Sequence, residues 1–503
     1  MLKKLLLLLV PAVLLYSCTQ PKSPEKPNIV FIFADDQCHN TIGAYGHPDV
    51  KTPNLDQLVE NATSFTNAYN MGAWNGAVCQ ASRSMLNTGR FVWRAQAEEK
   101  NHYQQAKRGE MWSQLMKAAG YDTYMTGKWH VHVGAEKIFD SVVHVRPGMP
   151  GDYFVHAEHW RLMKDSVGKG LCKAEDIMPL GYNRPTSKGD TAWLPWDKKH
   201  GGFWEGGRHW SEVLADDATG FIDAAKQKDN PFFMYLAFNA PHDPRQAPKE
   251  YIDMYPEDGI TMPESFAPNY PFEDNIGCGP ALRDAALAPF PRTDFAVRKH
   301  RQEYFALITH LDAQIGKIIK ALEESGQLEN TYIFYSADHG LAVGDHGLFG
   351  KQNMYEHSVK PPLFVIGPDV PKNKKVDVDV YLQDIMASSL DLAGVVKPEY
   401  VEFSSLMPIV KGQQTASSYD AIYGCYKTDL QRMVKKDGFK LILYPHGKTI
   451  RLYDLNNDPQ ELNDLANHKA YKTKVSELYQ ALLSLQVEMD DPFDLKTVFG
   501  AEI

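Results

Sequence analysis

Asn28-Ile29-Val30-Phe31-Ile32-Phe33-Ala34-Asp35-Asp36 is the stretch from which the fold can be read. Its apolar part is continuous and rich in β-branched and aromatic residues, the pattern of a strand covered on both faces, as in a parallel sheet. Similar runs recur at residues 121–126, 232–238, 331–336 and 363–367, with helical periodicity between several of them. The clearest helix is expected over residues 303–324, where Phe305, Ile308, Leu311, Ile315, Ile318, Ile319 and Leu322 recur mostly three and four apart. Alternating strands and helices predict an α/β domain, a mostly parallel sheet flanked by helices. Polar clusters follow four of the runs: Asp35-Asp36, Lys128-Trp129-His130, Pro241-His242 and Asp338-His339. In such sheets ligands collect outside the carboxyl ends of the strands.

The chain has 503 residues, which favours a large domain with a smaller partner. Hydrophobic residues at 43% and charged residues at 23% exclude a mostly disordered or coiled-coil chain. A formal charge of -10 without a Lys/Arg block argues against a nucleic-acid partner, so a substrate anion must be met locally. Residues 1–18 read as an export signal. Lys3 and Lys4 precede an apolar run to Leu15, and Leu15-Tyr16-Ser17-Cys18 resembles a bacterial lipobox, with an ordinary cleaved signal as the alternative. Lipidation at Cys18 predicts an exported protein anchored in a bacterial envelope, periplasmic or at the cell surface, with no other membrane contact. Residues 19–27 form a linker, 28–414 the main α/β domain, and 415–503 a smaller α+β subdomain with strand-like pieces at 432–443 and 449–453 and a helix over 471–489. Six widely spaced cysteines include no CxxC pair, so neither a zinc ribbon nor a disulfide framework is indicated, although one pair among Cys172, Cys278 and Cys425 could still bridge.

Adjacent carboxylates at Asp35 and Asp36 are costly unless a cation neutralises them, and a hard divalent metal is the natural partner. Taken alone, a solvated turn explains them equally well. Asp338 and His339 repeat the arrangement after another strand and add a carboxylate and an imidazole.

Cys79-Gln80-Ala81-Ser82-Arg83, running on to Thr88-Gly89-Arg90, resembles the signature of the type I sulfatases, Cys-x-Pro/Ala-x-Arg followed by Thr-Gly-Arg. The resemblance extends to Thr52-Pro53-Asn54-Leu55-Asp56, Gly120-Tyr121-Asp122-Thr123, Gly127-Lys128-Trp129-His130, Ala240-Pro241-His242, Leu311-Asp312, Gly344 to Lys351, Leu452-Tyr453-Asp454-Leu455 and Asp458-Pro459. It implies an alkaline-phosphatase-like fold and hydrolysis of a sulfate ester, on a sulfated glycan as in bacterial glycan sulfatases. It also implies conversion of Cys79 to formylglycine by a formylglycine-generating or anaerobic sulfatase-maturating enzyme. One Ca²⁺, with Mg²⁺ as the alternative, would be held by Asp35, Asp36, Asp338, His339 and the modified Cys79. Arg83, Lys128, His130, His242 and Lys351 complete the implied catalytic set, with His242 as general acid and His130 assisting the nucleophile, or the reverse; His346 reads as structural.

If this segment opens a helix, Cys79 meets its N-terminal N–H groups, and Arg83 on the same face can hold the nucleophile or sulfate oxygens. Lys128 and His130 would point to the same side of an extended segment. Trp193, Trp196, Trp204 and Trp210, with Arg208 and His209, lie in a Gly-rich insert that could form a substrate rim, although core packing suits the tryptophans as well. Two rivals stand: a phosphate or phosphonate ester hydrolase of the same superfamily, and a catalytically silent, glycan-binding surface lipoprotein.

Overall fold

The computed structural model describes residues 26–150, 157–178, 181–185 and 187–503. The 1–18 leader with Cys18, and the linker through Glu25, lie outside the described residues.

Asn28–Ala34 forms a central strand of an eight-stranded sheet. Across the sheet the order is Lys374–Val376, Thr63–Phe65, Leu363–Ile366, Thr331–Ala337, Asn28–Ala34, Phe232–Ala237, Asp122–Lys128 and Ser141–Arg146. All neighbours run parallel except Leu363–Ile366, which is antiparallel to both of its partners. Alternation along the central strand divides it between two cores. Val30, Ile32 and Ala34 pack on one face with Phe305, Ile308, Leu311 and Ile315 of the long helix. Ile29, Phe31 and Phe33 pack on the other with Trp112, Met116 and Ile385. Residues 29 to 34 are fully buried, and burial of each large apolar side chain contributes about 1.5–3 kcal/mol.

The long helix is Asp294–Ser325, beginning earlier than the apolar spacing suggested. In its first turns Phe295, Ala296 and Val297 are consecutive and the charged and polar residues 298–302 follow, so no periodic apolar stripe marks them. The start is marked instead by Thr293, whose hydroxyl accepts the Ala296 N–H at 3.1 Å as an N-cap.

Register brings the strand ends level. Ala34 pairs with Ala337, and Phe33 and Gly127 both pair with Ala237. Asp35, Asp338, Lys128 and the residues after Ala237 therefore emerge side by side; Asp338 N donates to Ala34 O at 3.3 Å and Asp35 N to Ala240 O at 3.1 Å.

In the C-terminal part a helix spans Lys472–Glu488, and the single piece expected over 432–443 is two strands, Gln431–Lys436 and Phe439–Tyr444. Asp437 and Gly438 between them both adopt positive φ (52° and 77°), which a two-residue hairpin turn requires. These strands, with Thr449–Asp454 and Ile422–Tyr426, make a sheet completed by Gly72–Ala73. Gly72 has φ 86°, and a Cβ there would lie 1.9 Å from Cys425 O, so glycine is required. The small sheet thus grips the backbone shortly before Cys79. Cys38, Cys79, Cys172, Cys278 and Cys425 are free thiols. Among the described residues no helix is long and apolar enough to cross a membrane.

Candidate active site and metal centre

Cys79 is the second residue of the helix Val78–Thr88 and is buried. It therefore lies among the first-turn N–H groups, which have no intrahelical acceptor and favour an anion. One oxygen of Asp35, one of Asp338, a His339 ring nitrogen and Cys79 Sγ all lie within 4.8 Å of one another. Asp36 belongs to an adjoining group with His242 and Asp243, and its Oδ1 is 3.3 Å from His339 Nε2. Asp36 and His130 both adopt positive φ (68° and 56°), backbone strain of the kind that gathers at functional sites.

Buried Lys128 pairs with Asp35, and Lys351 Nζ pairs with Asp36 at 2.9 Å. Burial and the neighbouring Asp338 push the Asp35 carboxyl well above its usual range, with Lys128 opposing. Burial would raise the Cys79 thiol, yet Lys128, Lys351 and His130 together draw it well below its ordinary value. Those three side chains therefore favour a negative charge at the Cys79 side chain. His130 Nδ1 lies 3.4 Å from Cys79 Sγ. His242 donates its Nδ1 proton to Asp243 O at 2.6 Å, leaving Nε2 to face Asp36 Oδ2 at 3.8 Å. Burial first, then Lys351, lowers the His242 pKa to about 3, so the free protein holds it neutral.

A hard cation fits this donor set. Asp35 Oδ1 and His339 Nε2 are buried with no hydrogen-bond partner, and buried polar atoms are rarely left so without a ligand or water.

Three sequence expectations change. Arg83 has no hydrogen bond to Cys79. Its Nε donates to Asp338 Oδ2 at 3.0 Å, its Nη1 donates to Lys128 O at 2.9 Å, and its guanidinium lies 4.6 Å from the centre of the Phe33 ring. It is the brace that joins the Cys79 helix to two strand ends. Lys128 and His130 do not alternate on an extended segment, because the strand ends at Lys128 and His130 turns left-handed; Lys128 and His130 nevertheless both act on Cys79. His209 is not a rim residue. Its buried ring caps the helix Trp210–Ala225 by accepting Ser211 N–H at Nδ1 (3.1 Å) and donates Nε2–H to Gln246 O (3.0 Å). Arg208 is exposed and pairs with Asp216 at 2.6 Å. Trp193 and Trp204 pack inward, and the His346 ring stacks on Tyr355 at 4.1 Å.

Sequence reasoning missed the support around these groups. Tyr304 donates its hydroxyl to Asp36 O at 2.6 Å and accepts Cys38 N–H at 3.0 Å. Arg283 bridges Asp243 and Asp284, and Asp284 accepts Gln352 Nε2–H at 2.6 Å beside Lys351. Arg283 and Asp284 stand in a stretch without periodicity or motif, so nothing local marked them.

Residues 27–395 match the Sulfatase family, and residues 344–488 match "N-sulphoglucosamine sulphohydrolase, C-terminal". An arylsulfatase of Clostridium perfringens is 28% identical over 91% of this chain and 94% of its own length. The N-acetylglucosamine-6-O-sulfatase of Bacteroides thetaiotaomicron is 25% identical over 98% and 93%. The solved phosphonate monoester hydrolase of Silicibacter pomeroyi shares the fold, with a TM-score of 0.68 at 21% identity over 93% of this chain and 96% of that one. That likeness concerns the fold alone, whereas the family match spans most of the chain and includes every residue of the Cys79 centre. The chain accordingly belongs to the sulfatase family and is a sulfuric ester hydrolase of alkaline-phosphatase-like fold.

Proposed function

We propose that the protein removes sulfate from a sulfated glycan, with a formylglycine made from Cys79 as nucleophile and one calcium ion held by Asp35, Asp36, Asp338 and His339, Mg²⁺ being the alternative. The observation that carries this reading is Cys79 Sγ at a helix N-terminus, within 4.8 Å of Asp35, Asp338 and His339. A sugar substrate is supported by the N-acetylglucosamine-6-O-sulfatase relative.

When bound, the cation supplies positive charge that eases ionisation of the nucleophilic oxygen. The chain's own residues account for the remainder. One hydroxyl of the aldehyde hydrate forms the bond to sulfur as its proton passes towards His130, and the ester S–O bond breaks. We assign protonation of the leaving sugar oxygen to His242 Nε2, which must first take up a proton once the anionic ester offsets Lys351. Loss of the proton from the second hydroxyl then expels sulfate, and hydration restores the diol. Lys128 and Lys351 hold the non-bridging sulfate oxygens. Asp35, Asp36 and Asp338 are matched by Lys128, Lys351 and Arg83, so a divalent ion tips the centre positive and favours an anionic ester. Maturation by a formylglycine-generating or anaerobic sulfatase-maturating enzyme, and export with lipid anchoring at Cys18, complete the proposal.

The test uses protein whose Cys79 mass shift establishes formylglycine. It is incubated with sulfated mono- and disaccharides and with their phosphorylated analogues, with and without chelator, beside Cys79→Ala. Sulfate release that depends on Cys79 and on the metal is expected. Turnover of phosphoesters alone would overturn the assignment in favour of a phosphohydrolase.

A further inference from the structure

Among the proposed metal ligands, Asp36 alone has a left-handed backbone, with φ 68°. That conformation is costly for a residue with a side chain and persists only where its surroundings fix it. Three contacts do so. The Asp36 N–H donates to Asp338 Oδ1 at 3.2 Å, its carboxylate pairs with Lys351 Nζ at 2.9 Å, and its carbonyl accepts the Tyr304 hydroxyl at 2.6 Å. Asp338 and Lys351 belong to the centre itself, so a cation and a sulfate group compete for them. Tyr304 does not. It is buried within the helix Asp294–Ser325, whose apolar side chains pack against the central strand.

The Tyr304 hydroxyl also accepts the Cys38 N–H at 3.0 Å. Its oxygen is thus inserted into the turn from Asp36 to Cys38, donating to the first residue and accepting from the third. Neither Asp36 O nor Cys38 N–H has another hydrogen-bond partner among the described residues. Buried backbone groups are rarely left unpaired. Without the hydroxyl, rotating the peptide after Asp36 relieves both groups, frees Asp36 from the left-handed region and swings its carboxylate away from the other donors. We propose that Tyr304 is a positioning residue of the metal centre, its hydroxyl holding Asp36 turned towards the other ligands before a cation arrives. The inference rests on the calcium reading and assigns part of the centre's affinity to a residue outside the donor set.

Calorimetric titration of Ca²⁺ into matured full-length protein, freed of metal by chelator, tests it. Tyr304→Phe removes one oxygen, keeps the ring, and is expected to bind Ca²⁺ about 10–100-fold more weakly than wild type, as loss of an orienting group behind a metal ligand does. Tyr255→Phe is the control. Its hydroxyl meets the same helix at Thr309 and accepts the Lys51 N–H at 2.9 Å, contacts that include no residue of the centre, so its Ca²⁺ affinity is expected to stay as in wild type. A merely structural Tyr304 lowers the urea midpoint in EDTA and leaves the Ca²⁺ affinity unchanged; that result overturns the proposal, as does an equal loss of affinity in Tyr255→Phe. If Tyr304→Phe does not fold, amide hydrogen exchange of wild type decides. A Cys38 N–H already protected in EDTA supports a turn set by Tyr304, and protection that appears only on adding Ca²⁺ overturns it. Absence of saturable Ca²⁺ binding by wild type removes the calcium reading and the positioning role together, whereas wild-type binding matched by Tyr304→Phe removes only the role of Tyr304.

Discussion

Replacing Arg83 by Met tests whether the brace behind Cys79 does what its geometry indicates. Arg83 and Asp338 are both fully buried, with Nε 3.0 Å from Oδ2. At an effective dielectric of 20 the attraction over that distance is about 5 kcal/mol, and removing one partner of a buried pair costs about 3–5 kcal/mol because the other charge is stranded. Loss of the Nη1 bond to Lys128 O at 2.9 Å adds to the cost, while the methionine stem retains part of the packing on Phe33. Arg83→Met is therefore expected to destabilise by about 3–5 kcal/mol. Urea titration in EDTA reads this as a midpoint shift at constant slope, the chelator keeping any divalent ion from neutralising Asp338. Asp338→Asn added to Arg83→Met is expected to return about 2–3 kcal/mol, a coupling of the size neighbouring buried charges show. A loss under about 1 kcal/mol, or strict additivity of the two substitutions, would refute the brace.

Two further outcomes follow from the geometry. Asp491 and Arg432 form a fully buried ion pair, with Nε–Oδ2 at 2.6 Å and Nη2–Oδ1 at 2.7 Å. Although burial raises the Asp491 carboxyl, Arg432 outweighs it and holds the group below its ordinary value; its contribution is full above the unfolded pKa of about 3.9 and is lost as pH falls through the lower folded value. Asp491→Asn should cost about 3–5 kcal/mol at pH 7, and the gap to wild type in urea midpoints should narrow below about pH 4; a gap independent of pH would contradict this. His209→Ala should lower stability by about 1–2 kcal/mol through loss of a helix cap while leaving the relative KM values among sulfated sugars unchanged. A selective rise in KM with stability intact would return His209 to the substrate rim.

The sequence by itself determined the class of fold and most of the centre, because both rest on short-range patterns. The apolar runs 28–34, 232–238 and 331–336 state to within a residue where strands stop, at Ala34, Ala237 and Ala337, and the acids and histidines just beyond them lie at the carboxyl edge whatever the loops do. The Cys79 to Arg83 motif sits within one helix, so its spacing carries directly into space. Tertiary structure alone decided which group each side chain serves. Arg83 turned to Asp338 because helix and strand meet there, and Asp36 was drawn into a second group with His242 and Asp243. His209 was consumed by a cap, since Ser211 N–H and Gln246 O flank its ring. The joining of Gly72–Ala73 to a sheet from the far end of the chain depends on contacts between segments distant in sequence, and residue types alone carry no record of such partners.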